Sequence, residues 1–473
     1  MMQLTLIALL ILAATASTVT SANPTDMDPA TFERALEATF QPPPPSPPAP
    51  RLADELDGRE ADAIYFQSYP DHERAYTPAA RSQARRLLDR LRTDARHLTR
   101  DQFTLRVSEI VALADNAHSH TGTAFQKNTR RIPLRFYWFP DGLHVLRTAP
   151  AFVDLLGARI ERIDGMTPQA LFQRIRKYNG GTETWRRQAL TPMLESPGLL
   201  QAAGVTRDST SLSISGVLAN GSAFTRVLTG EVRDQAAPIS ATSRLIFPTA
   251  PDALMPGLLT RSDSLPLYLR AGTSFFQLDV LPASGIYIGL GITSDSDDES
   301  IADHLAKVER HIAGTRPTFA VVDLRTNTGG DFTTTFKFAS ALPSRVGRVY
   351  VLTSGWTLSA AMHTAAAIKQ AAPERVTLVG EPVGDRMQFW SEGGRFILPN
   401  TPLIASNTTG KHNFSGPCDD LRVCFWLSAL PGQFRVRVPS LDPEIAAPLT
   451  FAAYRAGRDP ALEAVLAREQ AKP

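Results

Sequence analysis

The residues most suggestive of chemistry lie in two short segments of the C-terminal half. In the first, the apolar run Val349 to Thr353 turns through Ser354-Gly355-Trp356-Thr357-Leu358 into Ser359-Ala360-Ala361-Met362-His363, the start of an Ala-rich helix. This places the Ser359 hydroxyl and the Ala360 N–H at the positive end of a helix dipole, where a developing anion is stabilised. A serine there can serve as a nucleophile, and it can equally be a plain helix cap. In the second, the apolar strand Phe319 to Leu324 runs into Arg325-Thr326-Asn327-Thr328-Gly329-Gly330-Asp331. Paired glycines after a buried strand let the backbone approach a ligand and turn N–H groups toward a developing oxyanion, or they simply make a turn. No phosphate-loop pattern GxxxxGK[ST] or GxGxxG accompanies them.

A serine nucleophile needs a base, and histidine is the usual one near neutrality. Of nine histidines, His118 and His120 sit beside Asp115 and Asn116, whereas His363 lies one turn into the serine helix. His118 and His120 also read as a metal pair or as structural histidines, and no further ligand set at metal spacing accompanies them.

These segments require particular elements to hold them. Thr77-Pro78 opens a helix to about His97, and Thr99 with Gln102 predicts a capping box. Phe103, Val107, Ile110, Val111 and Ala114 then recur at helical spacing, so a second helix should run to about Asp115 and deliver the His118 peptide. Short strands are predicted at 134–139, 143–147 and 158–163, with an Asp164-Gly165 turn and a helix over 168–178. Residues 186–265 are harder to read beyond a hairpin of 211–217 and 223–229 around Asn220-Gly221. From about 265 the chain alternates strands (286–292, 319–324, 349–353, 376–379) with helices (299–313, 333–341, 359–372), which favours an α/β layer.

Together the segments resemble the C-terminal processing peptidase family of serine proteases, which includes the tail-specific proteases and the tricorn core. DLRTNTGGD at 323–331 resembles the family's Asp-Leu-Arg-Asn-Asn-x-Gly-Gly block, TSGWTLSAAM at 353–362 resembles the block around its serine, and VGEP at 379–382 resembles its Gly-Glu-Pro block. ADNAHSHTG at 114–122 is similar to the Asp-x-His-Thr block of members with a histidine base, and residues 134–178 look like a degenerate PDZ-like module. The resemblance implies Ser359 as nucleophile, His118 as base, and the Gly330 and Ala360 N–H groups as the oxyanion hole. In the Ser-Lys branch a lysine stands four residues after the Pro of Gly-Glu-Pro. Here that position is Arg386, which stays protonated and cannot be a general base. The usual glutamate of the Ser-His-Glu branch would fall near Arg437. The orienting carboxylate is therefore sought among Glu392, Asp385 and Glu381, in that order. Arg386 is expected to bind a substrate carboxylate or to pair with Asp385 or Glu381.

The implied architecture is α+β and multidomain. A signal peptide (1–22) and a Pro-rich segment (23–74) precede a helical domain (75–130) and a PDZ-like and connecting β module (131–264). An α/β core of ββα-repeat, crotonase/ClpP-like type (265–455) and a C-terminal tail helix (456–473) follow. The implied activity is an exported serine endopeptidase with no cofactor and no metal, acting on peptides or unfolded proteins, with a homo-oligomer compatible with the sequence. The rivals are a catalytically inactive, peptide-binding scaffold and a metal-dependent hydrolase built on His118 and His120.

Composition agrees with an ordinary globular chain. Its 473 residues, 43% of them hydrophobic, are enough for about three domains at roughly 100–200 residues each. A formal charge of +2 compels no nucleic-acid partner. The apolar run Leu4 to Ala16, followed by small residues, is too short to span a membrane and reads as a cleavable signal, which implies a periplasmic or secreted protein with no stable membrane insertion. Of 36 prolines, a cluster in QPPPPSPPAP (41–50) predicts an extended linker or wrapping segment. The only two cysteines, Cys418 and Cys424, are close enough for a local disulfide in an oxidising compartment.

Overall fold

The structure is a computed structural model that describes residues 44–47, 50 and 55–471, apart from 128, 233–241, 251–252, 261, 263, 271–273, 419, 421, 426 and 428–433. The proposed signal peptide lies outside the described residues. The architecture is mixed α+β.

Helices α1 (Glu55–Tyr65), α2 (Pro78–Asp94) and α3 (Arg100–Ala112) form the first layer. Thr77 caps α2 with Pro at its first position, and the Thr99–Gln102 capping box forms in both directions, as the residue types require. Helix α3 stops at Ala112, short of the expected Asp115, because Asp115 takes φ 48° and breaks the ladder.

Strands β1 (Arg130–Arg131), β2 (Leu134–Phe139), β3 (Gly142–Thr148), β4 (Arg159–Ile163), β5 (Ser211–Val217), β6 (Ala223–Thr229) and β7 (Glu231–Val232) follow. β2 to β6 make a five-stranded antiparallel sheet in sequential order, and β1 pairs with β7. Between β4 and β5 the chain forms α4 (Pro168–Ile175), α5 (Glu183–Leu190) and α6 (Pro197–Ala202). The α5 and α6 stretches were illegible in sequence because α6 is short and α5 is mostly polar. Leu171, Phe172 and Ile175 of α4 close the core beneath this sheet.

The last layer holds the paired segments. Strands β8 (Phe276–Leu281), β9 (Gly285–Leu290), β10 (Phe319–Asp323), β11 (Arg348–Thr353), β12 (Val376–Gly380) and, later, Ile445–Ala446 form a sheet ordered β8-β9-β10-β11-β12 with the last at the far edge. All neighbours are parallel except β8 with β9. The crossovers are α7 (Ile301–Thr315), α8 (Thr333–Arg345) and α9 (Ala360–Ala371). Sequential crossovers of one hand put their helices on one face, where they bury Leu305, Val308, Phe338, Leu342, Met362 and Ile368. The other face needs a separate cover. It is supplied by α10 (Pro460–Gln470), whose Leu462 and Val465 pack on Tyr287, Val321 and Tyr350. Glu469 bonds Arg348 and Tyr350, and Arg325 bridges Asp323 and Asp459.

Between β12 and the last strand the chain extends two hairpin pairs: β13 (Gln388–Ser391) with β16 (Gly410–Asn413), and β14 (Arg395–Leu398) with β15 (Leu403–Ser406). The β14–β15 ribbon inserts Phe396, Leu398, Leu403 and Ala405 among Phe66, Tyr69, Phe103 and Ile110, so the helical layer is completed by the core's own extension. Buried polar groups fix that docking. Asp62 accepts from Thr401 N–H and Oγ1 at 2.8 and 2.7 Å, and Glu73 accepts from Thr408 Oγ1 at 2.6 Å. Cys418 and Cys424 form the expected disulfide. Two described residues of the Pro-rich stretch lie against α1 and this ribbon: Tyr65 Oη donates to Pro45 O at 2.9 Å, and a Cβ on Gly394 would meet Pro44 Cδ at 2.6 Å.

Candidate active site

Ser359 begins α9 with φ 55° and ψ −124°, a sparsely populated conformation for a residue with a Cβ, and its side chain does not cap the helix. Such strain costs on the order of 1–3 kcal/mol and persists only where the surroundings impose it. The surroundings here are two loops laced by three hydrogen bonds. Thr357 Oγ1 donates to Leu324 O at 2.9 Å, Ser354 Oγ donates to Arg325 O at 2.5 Å, and Leu358 N–H donates to Asn327 O at 3.1 Å. The serine turn is thereby tied to the Gly-Gly loop.

Asn327 shapes that loop, and sequence reasoning passed over it. It is buried, its Nδ2 donates to Leu290 O at 2.9 Å and to Thr293 Oγ1 at 3.0 Å, and its Oδ1 accepts from Gly329 N–H at 2.9 Å. Its match to the second Asn of the resembled Asp-Leu-Arg-Asn-Asn-x-Gly-Gly block was the available signal. Gly329 has φ 115° and stands so close to the serine that a Cβ would lie 2.7 Å from Ser359 Cβ. Gly330 has φ 142° and bridges Thr293, whose N–H bonds Gly329 O and whose carbonyl accepts from Asp331. That pattern leaves the Gly330 N–H outside the bridge. Ala360 N–H, in the first turn of α9, lies 3.3 Å from where that same Gly329 Cβ would be.

His118 follows α3 in a loop gripped from several sides. Asn116 Nδ2 donates to Trp390 O at 2.9 Å and its Oδ1 accepts from Trp390 N–H at 3.1 Å, so the loop runs alongside β13. The His118 ring stacks on Phe389 with centroids 5.3 Å apart and 12° between planes, and Phe389 in turn stacks on His412. His118 Nδ1 lies 3.6 Å from Asp385 Oδ2. Both ring nitrogens and Asp385 Oδ2 are buried and have no hydrogen-bond partner among the described residues. His120, by contrast, is committed to structure. Its Nδ1 accepts from Gly122 N–H at 2.9 Å, and burial, with His118 and Arg395 nearby, pushes its pKa down to about 4. His363 Nε2 contacts Phe434 O at 2.7 Å and its ring stacks on Phe332.

The three carboxylates occupy different places. Asp385 is joined to the serine turn through its predecessor, since Gly384 N–H donates to Thr357 O at 2.9 Å, and it is the one carboxylate within 4.0 Å of a His118 nitrogen among the described residues. Glu392, with φ 56°, accepts from Ser391 Oγ at 2.8 Å and lies 3.4 Å from His412 Nε2. Glu381 accepts from Leu449 N–H at 2.9 Å, and burial raises its pKa. Arg386 pairs with neither Asp385 nor Glu381 through its guanidinium. Its Nη1 donates to Asp115 O at 2.7 Å and its Nη2 to Asp115 Oδ2 at 2.9 Å, while its backbone N–H donates to Asp385 Oδ1 at 2.8 Å. Among the described residues no group of three or more His, Cys, Asp and Glu is placed to hold a metal ion, and no helix is long and apolar enough to cross a membrane.

By fold, the chain is similar to solved structures of CPAF. Mature CPAF complexed with lactacystin is 10% identical, over 88% of this chain and 98% of that one, with a TM-score of 0.54. A CPAF serine-to-alanine mutant aligns at 9% identity over 88% and 97% of the two chains, with a TM-score of 0.55. The photosystem II D1 C-terminal processing protease matches at 12% identity, 85% and 94% coverage and a TM-score of 0.34. No protein-family model matches the sequence, and no curated protein matches it at the sequence level.

Proposed function

We propose that the protein is an exported serine endopeptidase acting on peptide or unfolded protein substrates. Ser359 is the nucleophile, His118 the general base, and Asp385, in place of the Glu392 ranked first from sequence, orients the imidazole. The observation that carries this reading is the position of Asp385. Its neighbour Gly384 is bonded to the serine turn, and its own unpartnered oxygen faces the His118 nitrogen at 3.6 Å. A 3.6 Å separation is loose for a hydrogen bond, and catalytic contacts often tighten only with substrate bound.

In the proposed reaction His118 Nε2 takes the Ser359 proton as Oγ bonds to the scissile carbonyl carbon. The tetrahedral oxyanion is held by the Gly330 and Ala360 N–H groups. The imidazolium then protonates the leaving amine as the C–N bond breaks, and water hydrolyses the resulting ester by the reverse proton path. The five-stranded sheet with α4 plays the part of the PDZ-like module, admitting or binding chain ends. Export rests on the Leu4–Ala16 leader together with the Cys418–Cys424 disulfide, which suits an oxidising compartment.

The test is labelling of the purified protein by a fluorophosphonate serine probe, with peptide hydrolysis followed in parallel. Wild type should label, Ser359→Ala should do neither, and His118→Ala should be nearly as impaired. Absence of labelling in correctly processed wild type would favour a peptide-binding scaffold. Greater damage from His120→Ala than from His118→Ala would show that the wrong histidine has been chosen.

A further inference from the structure

The segment that carries His118 is held between two separate bodies. On one side, Gly180 and Gly181 of the five-stranded module approach so closely that a Cβ on Gly180 would stand 2.6 Å from Asn116 N and one on Gly181 3.2 Å from Ala117 Cα. On the other side lies β13 of the core, bonded to Asn116. The module is itself docked on the serine turn, because Thr182 Oγ1 donates to Gly384 O at 2.8 Å and Trp356 Nε1 donates to Tyr137 Oη at 3.0 Å.

At the entrance to this segment is Asp115. Its carboxylate receives Arg186 of α5 on one oxygen and Arg386 of the core on the other, and its carbonyl receives Arg386 as well. Arg186 is 15% exposed but Asp115 is 55% and Arg386 46% exposed, so the clasp lies at the surface and its value is in fixing position rather than in ion-pair energy. Asp115 also has a positive φ, which Asp and Asn tolerate better than most residues. Three parts of the chain distant in sequence thus converge on one residue placed three positions before the base.

We propose that Asp115 is a positioning residue for His118, clasped by Arg186 and Arg386, so that the base is set for catalysis only while the five-stranded module is docked against the core. The inference rests on the peptidase reading above. A guanidinium is suited to this because it can donate to a carboxylate and a carbonyl at once from a fixed planar fork, which an ammonium does less well. Displacing the base by about 1 Å costs on the order of 10²-fold in rate while leaving substrate contacts intact.

The variants are Arg386→Ala, Arg386→Lys, Arg186→Ala and Asp115→Asn, the last keeping tolerance of the positive φ while removing the charge. Each is measured for kcat and KM on a peptide, for its rate of fluorophosphonate labelling and for thermal stability. Arg386→Ala, Arg186→Ala and Asp115→Asn should lower kcat and labelling rate together by tenfold or more with KM within about twofold. Arg386→Lys should recover part of the loss. If wild type labels but these three variants label at the wild-type rate and merely melt earlier, the clasp is structural and the inference is overturned while the peptidase reading stands. If wild type fails to label at all, both fall.

Discussion

Replacing Gly329 by alanine probes the site without changing the identity of any side chain that takes part in the proposed proton transfer. The new Cβ would sit 2.7 Å from Ser359 Cβ, 3.2 Å from its Oγ and 3.3 Å from Ala360 N. Carbon atoms rest at about 3.5–4.0 Å, so the serine must retreat by roughly 1 Å or the loop must open by the same amount. A displacement of that size at a reacting atom corresponds to about a 10²-fold loss of rate, and a donor moved out of the oxyanion hole to about 10²–10³. The backbone adds its own cost. At φ 115° an alanine is strained by about 1–3 kcal/mol, which appears as lost stability. Gly329→Ala should therefore show two separable effects: a fall in kcat and in fluorophosphonate labelling of about 10²-fold or more, and a lower midpoint in urea with an unchanged slope. The control is Gly314→Ala, at a position where a Cβ meets nothing within 4 Å. Labelling of Gly329→Ala within threefold of wild type would refute the claim that this glycine abuts a reacting serine. A rise in KM at constant kcat would place it in substrate binding instead.

Two further predictions follow from the same geometry. Asp385→Asn should lower kcat by about 10²–10⁴ by presenting the wrong hydrogen-bonding partner to the imidazole, whereas Glu392→Gln should cost less than tenfold; the opposite ranking in steady-state kinetics would return the orienting role to Glu392. His144, stacked on Phe451 at 3.7 Å, has a pKa pushed down to about 4 chiefly by burial, with Asp141 opposing. A base whose folded pKa is depressed favours folding above its unfolded pKa of about 6.5 and loses that contribution as pH falls toward 4. His144→Phe should thus gain on wild type by about 2 kcal/mol between pH 7 and pH 5 in urea unfolding, and a difference that stays flat across that range would contradict the burial argument.

What could be read from the sequence was what local rules decide. The Thr99–Gln102 capping box, the hairpin of β5 and β6, and the strand-to-helix turn at Ser359 each depend on residues a few positions apart, and each formed. The unread parts depend on distant partners. The β14–β15 ribbon has strands of only four residues each and is specified by burying Phe396 and Leu398 among helices roughly three hundred positions earlier in the chain. Asn116 meets Trp390 across 274 positions, and nothing in either peptide announces the other. No motif ranks Glu392 against Asp385, and which carboxylate faces His118 is decided by how β13 docks on the histidine loop. Arg386 shows the same limit: its sequence neighbours Asp385 and Glu381 were the natural partners to expect, and its guanidinium turned instead to Asp115.

That turn bears on how the two chemistries of the resembled family relate. A lysine at the Arg386 position can serve as a base only if it sits unpaired and partly desolvated near the serine, with its pKa lowered. An arginine there has no such use, because it remains charged. What it can do is hold an anionic neighbour, and the neighbour it holds lies three residues before the histidine. In this chain the position that could have housed a base thus anchors the segment that carries the proposed one. On the proposed reading the nucleophile and its base depend on separate layers of the fold, so the parts that hold those layers together, Asp115, Asn116 and Gly384, would bear on catalysis without touching substrate. Substitutions at these positions should change kcat more than KM. The same substitutions in a scaffold that only bound peptides would alter affinity or stability and nothing else.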